Sequence, residues 1–195
     1  MCGKALVSED TLCMQCRDKR ILFHTDIVLP LFSYRLWNKT LLFRWKIAGE
    51  RNLSEFFADI FSSTLRKFFA DDFAIVPVPP RKGKIHTKGW DQIEDVCYFL
   101  EKKYGFKIFR LLFRESNQEQ KQLGREGRVE NIGKSYRMKN ESSIKKIIQR
   151  YGYFPKKVIL IDDVLTTGAS IESCARALKD AGVQTVNALT LFIVD

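Results

Sequence analysis

The chain has 195 residues, 45% of them hydrophobic, which is enough for one substantial α/β core with a small appendage and too little for several independent domains. Charged side chains interrupt every apolar run before it reaches the ~20 residues a membrane span needs, and the first residues lack a secretory apolar core, so a soluble, cytoplasmic protein without a membrane span is expected. Five cysteines, an odd number, argue against a disulfide framework, and 33 Lys and Arg against 23 Asp and Glu leave a net charge of +10 that suits a polyanionic partner, either nucleic acid or polyphosphate.

Cys2, Cys13 and Cys16 fall within the first sixteen residues, with Cys13-Met14-Gln15-Cys16 spaced as a thiolate knuckle and His24 beyond it. Three thiolates and an imidazole would complete a tetrahedral Zn2+ site; solitary, buried cysteines are the alternative. Ile27 to Phe32 reads as a short extended segment. From Tyr34 to Lys46 aromatic and basic residues interleave, with Arg44, Trp45 and Lys46 at its end, as on a platform for single-stranded nucleic acid. The same stretch reads as an amphipathic helix, and this reading is preferred because Leu36, Leu41, Leu42 and Trp45 recur near the helical period. A second helix is expected from about Asn52, on a stripe running from Leu53 to Phe68.

Phe73 to Val78 begins as a buried strand, and Pro77, Pro79 and Pro80 end it. Arg81-Lys82-Gly83-Lys84 follows, a cationic loop at what would be the carboxyl edge of a parallel sheet, where ligands of such sheets bind. A helix is expected through Ile93, Val96, Cys97 and Leu100, then a strand from Lys107 to Phe113. Cys97 and Cys174 sit on apolar helical faces and read as inert core residues. Arg114 to Arg137 is polar and aperiodic, a loop long enough to be functional. A helix around Ile144 to Arg150 leads to the most informative stretch.

Val158 to Ile161 is a continuous apolar run, as in a strand buried on both faces. Asp162 and Asp163 close it, and the chain is expected to turn there. Val164 and Leu165 lead into Thr166-Thr167-Gly168-Ala169-Ser170, a small, hydroxylic loop entering a helix that carries Ile171, Cys174 and Leu178. Unpaired amides at a helix N-terminus, with a glycine allowing close approach, can hold a phosphate. Carboxylates beside it suit polyol hydroxyls or hydrated Mg2+. Together these groups describe a site for a ribose 5-phosphate. A last strand is expected from Thr185 to Val194. Asp71-Asp72, equally acidic, lacks both strand and loop and reads as a solvated connection.

Ile161 to Ser170 resembles the 5-phosphoribosyl 1-diphosphate (PRPP) signature of type I phosphoribosyltransferases. Together with the Cys-containing N-terminus, Leu42 to Lys46 with Gly49, Val76-Pro77-Val78-Pro79, Lys88-Gly89-Trp90-Asp91-Gln92 and Gln120 to Asn131, the chain resembles the ComF/GntX family over nearly its whole length. The resemblance implies an α/β fold, a phosphoribosyltransferase-like parallel sheet flanked by helices over residues 34–195, with helices in 34–70, behind a zinc-ribbon-like segment over residues 1–33. It implies that Asp162 and Asp163 meet the ribose hydroxyls and Mg2+, that Val164 to Ser170 wrap the 5-phosphate, that Arg81 and Lys82 bind the diphosphate, and that the loop after Arg114 closes over the ligand. ComF members are associated with DNA uptake in natural transformation, which adds single-stranded DNA and competence DNA-uptake proteins to the expected partners. The family's Arg-Gly-Phe-Asn-Gln segment is here Lys88 to Gln92, and the first zinc knuckle is incomplete. Two readings stand: a phosphoribosyltransferase whose acceptor the residues do not identify, and a non-catalytic single-strand-binding competence protein with a regulatory PRPP site.

Overall fold

The structure, a computed structural model, describes residues 22–69, 72–80, 89–115 and 136–194. In chain order the elements are β1 (Ile27–Ser33), α1 (Trp37–Lys46), α2 (Asn52–Phe68), β2 (Ala74–Pro77), α3 (Gln92–Lys102), β3 (Leu112–Arg114), β4 (Tyr136–Met138), α4 (Glu141–Tyr151), β5 (Lys157–Leu165), α5 (Ala169–Asp180) and β6 (Thr185–Ile193). Four strands form a parallel sheet in the order β1-β6-β5-β2, and β3 pairs antiparallel with β4 in a sheet of two strands. The strand Ile27–Ser33, grouped above with the N-terminal segment, is hydrogen-bonded along β6 in the main sheet.

The apolar run of β5 divides between two cores, as alternation along a strand requires. Val158 and Leu160 face a cluster with Ile171, Cys174 and Leu178 of α5, while Ile159 and Ile161 face one with Trp45, Phe57, Phe61, Val96 and Leu100. The sheet is thus covered by α5 on one face and by the first three helices on the other. Cys97 and Cys174 are fully buried free thiols, and burial pushes both thiol pKa values well up, so neither is available as a nucleophile.

Lys107 to Phe113 does not run as one strand. Ile108 makes an isolated parallel bridge with Ile75, and regular pairing resumes only at Leu112, against β4. The reason lies in β2: it is four residues long and stopped by prolines, so a neighbouring lane has little edge to pair with. The long polar segment is likewise shorter than expected, because Arg114 and Tyr136 to Arg137 belong to β3 and β4. Residues 116–135 lie outside the described residues. Asp72, expected to be solvated, is ion-paired with Lys157 at the start of β5, and both side chains are about half exposed.

Candidate functional site

The acidic pair stands where β5 outruns its neighbour. β2 pairs with β5 only as far as Pro77 beside Ile161, and the Val78 amide closes that edge by donating to the Ile161 carbonyl. On the other side β5 continues along β6, with Asp162 beside Thr190 and Leu165 beside Ile193. The expected turn at the pair is therefore absent. The strand carries straight through it, and the two carboxylates leave on opposite faces.

Different surroundings follow from that. Asp163 faces the α1 side and accepts a charge-assisted hydrogen bond from Lys46 Nζ at 2.6 Å. Asp162 keeps part of its surface exposed and accepts from the Asp163 backbone amide at 2.9 Å. Burial of its carboxylate, with the Asp163 charge beside it, pushes the Asp162 pKa up to about 8, against the opposing effects of that amide and Lys46. The surroundings thus bias the Asp162 carboxyl toward its neutral form.

Two further sequence segments reach the same edge. Lys46 ends α1, and its backbone carbonyl accepts from the side chain of Gln92, a fully buried residue, at 3.2 Å. Asp91 caps α3 by accepting from the amides of Ile93 and Glu94. The segments containing Trp45-Lys46, Asp91-Gln92 and Asp162-Asp163 are far apart in sequence and meet here.

Beyond Leu165, Thr166 and Thr167 are exposed and Gly168 starts α5 at φ +79°, with no side chain capping the helix. The nearest substitute is the Thr167 hydroxyl, which accepts from the Ala169 amide at 3.3 Å. A loop of this form, running into an uncapped helix of 12 residues, offers its first amides and the positive end of the helix dipole to an anion.

No family model matches the chain. The competence protein ComFC of Streptococcus pneumoniae (strain ATCC BAA-255 / R6) is 28% identical over 161 residues, covering 83% of this chain and 66% of that protein. The competence protein ComFC of Bacillus subtilis (strain 168) is 27% identical over 199 residues, covering 98% of this chain and 75% of that protein. The chain is homologous to the ComFC competence proteins. It spans roughly two thirds to three quarters of the length of these relatives.

In this ComFC homologue the loop is braced from the N-terminal side. Glu172, in the first turn of α5, accepts from the amides of Phe23 and His24, both at 2.8 Å, and from the Thr25 hydroxyl at 3.0 Å, and pairs with His24 Nδ1 at 2.6 Å. Burial alone would raise the Glu172 pKa, but the hydrogen bonds from His24, Phe23 and Thr25 outweigh it and hold the carboxyl below its usual range. On the other flank the Tyr136 hydroxyl lies 3.5 Å from Ser170 Oγ and accepts from Arg114 at 3.2 Å. The sequence reading missed Glu172 and Tyr136. A glutamate four residues after Gly168 sits in a helical first turn, but nothing local ties it to residues nearly 150 positions earlier.

The expected nucleic-acid residues are placed differently. Trp45 is fully buried and donates from Nε1 to the Ser54 hydroxyl at 2.8 Å, so it offers no face for a base to stack on. Arg44 is paired with Glu50 at 2.8 Å, and Lys46 with Asp163. Arg81, Lys82, Cys2, Cys13 and Cys16 lie outside the described residues, and among the described residues no group of three or more His, Cys, Asp or Glu could hold a metal ion. No helix among the described residues is long and apolar enough to cross a membrane.

Gly168→Ala tests how close the bracing is. A Cβ there would stand 3.1 Å from Leu22 Cδ2, on a backbone with positive φ. The left-handed conformation alone should cost about 1–2 kcal/mol. A lower urea midpoint with an unchanged slope is expected, together with weaker binding of any phosphate at the loop.

Proposed function

We propose that this protein binds PRPP with Mg2+ on a type I phosphoribosyltransferase-like domain and acts, like the competence proteins it resembles, in DNA uptake. The observation that carries the reading is the direct succession of the acidic pair, the Thr166 to Ser170 loop and the uncapped start of α5 at the carboxyl edge of a parallel sheet. Asp163 would accept the ribose hydroxyls. The loop hydroxyls and the first amides of α5 would hold the 5-phosphate, and Arg81 and Lys82, after the prolines of β2, would meet the diphosphate.

Asp162 and Asp163 fit Mg2+ by their chemistry, since hydrated Mg2+ takes one or two carboxylates plus ligand oxygens. A cation already stands on the pair, the Lys46 ammonium. Bound there, Mg2+ would neutralise charge on the departing diphosphate. The protein's own part in a transfer would be to orient the ribose and to stabilise the leaving charge through its cations. The acceptor would enter from the solvent side of the edge.

For Zn2+ we retain Cys2, Cys13, Cys16 and His24 as proposed ligands, in a zinc-ribbon-like segment over residues 1–33. The Glu172 carboxylate on His24 Nδ1 fits this set, because imidazoles that bind metal commonly have such a partner behind them.

The deciding experiment is calorimetric titration of the protein with PRPP and Mg2+. Saturable binding that requires Mg2+ is expected. A folded protein that takes up no PRPP would sink the reading.

A second reading, single-stranded nucleic-acid binding, draws on Trp37 at 84% exposure and Phe43 at 56%, on the same helix as Lys39. Salt-sensitive single-strand binding that survives Asp163→Asn and fails with Trp37→Ala and Phe43→Ala would favour it.

A further inference from the structure

The function proposed above gives no task to Lys46, yet the fold fixes this residue on the acidic pair. Its neighbour Trp45 is locked in the core by Ser54 and Phe57, and its own carbonyl is held by Gln92. The backbone is therefore anchored, and only the side chain is free to move. That side chain stays 36% exposed, while its partner Asp163 is only 12% exposed. Among the described residues Asp163 is the sole carboxylate in ion-pair contact with Lys46.

These facts make the ammonium a competitor. A bare divalent cation approaching the pair must displace Lys46 from a partly desolvated carboxylate, and among the described residues the displaced ammonium has no ion-pair partner outside the pair that the cation would occupy. Like charges at close range in such surroundings repel strongly. A divalent cation that arrives on a polyphosphate brings anionic oxygens, which give the displaced Lys46 a new partner. We propose that Lys46 is a specificity-determining residue that makes the acidic pair reject bare divalent cations and accept them only with a polyphosphate ligand. The inference rests on the ligand class proposed above, but its first test does not.

The probes are Mn2+ alone, followed by electron paramagnetic resonance of the free ion, and Mg2+ with inorganic diphosphate, followed by calorimetry. Lys46→Met should bind Mn2+ about 10-fold more tightly than wild type, and adding Asp163→Asn should abolish the gain. For Mg2+ with diphosphate the order should reverse, with Lys46→Met about 10-fold weaker and Lys46→Arg close to wild type. Lys46→Gln, checked by thermal melting, serves if the Met variant does not fold. Unchanged Mn2+ affinity in a folded Lys46 variant, or a gain that persists without Asp163, would overturn the proposal. If wild type takes no PRPP while Lys46→Met still gains Mn2+, the PRPP reading fails and the role of Lys46 stands.

Discussion

Asp162→Asn combined with Asp163→Asn should lower affinity for PRPP and Mg2+ by about 100-fold or more. Each carboxylate is expected to make hydrogen bonds of the charged class, worth about 1.5–3 kcal/mol apiece, and 1.4 kcal/mol is tenfold in affinity. The single variants should differ, because the strand sends the two side chains to opposite faces. Asp163→Asn leaves Lys46 without its partner and should be the more damaging to binding. Asp162→Asn replaces a carboxyl that burial and Asp163 already push toward its neutral form.

A pH signature separates them further. The folded pKa of Asp162 is raised from 3.8 to about 8, so the folded state binds the proton more tightly than the unfolded chain. Its contribution to stability is complete below the unfolded value and is lost as pH rises through the folded one. Wild type should therefore lose melting temperature relative to Asp162→Asn between about pH 4 and pH 8, and the gap should close at acid pH. Melting curves of both proteins across that range, without ligand, would show it. A constant gap would mean that Asp162 is ionised throughout.

Trp45→Ala should destabilise the fold by about 3–5 kcal/mol, because the site is fully buried and a large ring leaves a large cavity. The ring packs on Phe57 at a centroid distance of 4.5 Å, and Phe57 meets Phe192 of β6 edge-on at 6.0 Å. The loss would thus pass from α1 through α2 to the sheet. Removing the indole also leaves the buried Ser54 hydroxyl without its donor. Urea denaturation should show a much lower midpoint. Because Trp45 immediately precedes Lys46, ligand affinity should fall as well, without any contact between Trp45 and the ligand. Weak nucleic-acid binding in this variant would therefore report unfolding. The exposed Trp37 and Phe43 are the positions at which stacking can be tested.

Much of this was legible in the residues. The apolar run from Val158 to Ile161 and the hydroxylic loop with Gly168 determined a strand, a tight connection and a helix start, since each depends on local patterning and on backbone freedom at one glycine. The helical period around Leu42 and Trp45 likewise marked α1 and its two buried residues. Leu36, expected on the same stripe, precedes the helix and is 86% exposed, because its positive φ turns the chain before the first helical turn. Pairing partners were not legible. Whether β5 turned at Asp162 or ran on to Leu165 was settled by β6, which offers hydrogen-bonding groups as far as Ile193 on one side, while β2 stops at Pro77 on the other. The same lack of an edge broke the expected strand at Ile108. The contacts that define the site, Lys46 with Asp163 across 117 positions and Glu172 with Phe23 to Thr25 across nearly 150, join segments whose local sequences carry no trace of one another. Local sequence sets which groups are present and which face of an element they occupy. Which groups become neighbours depends on how the helices pack on the sheet, and that is decided only when the whole core closes.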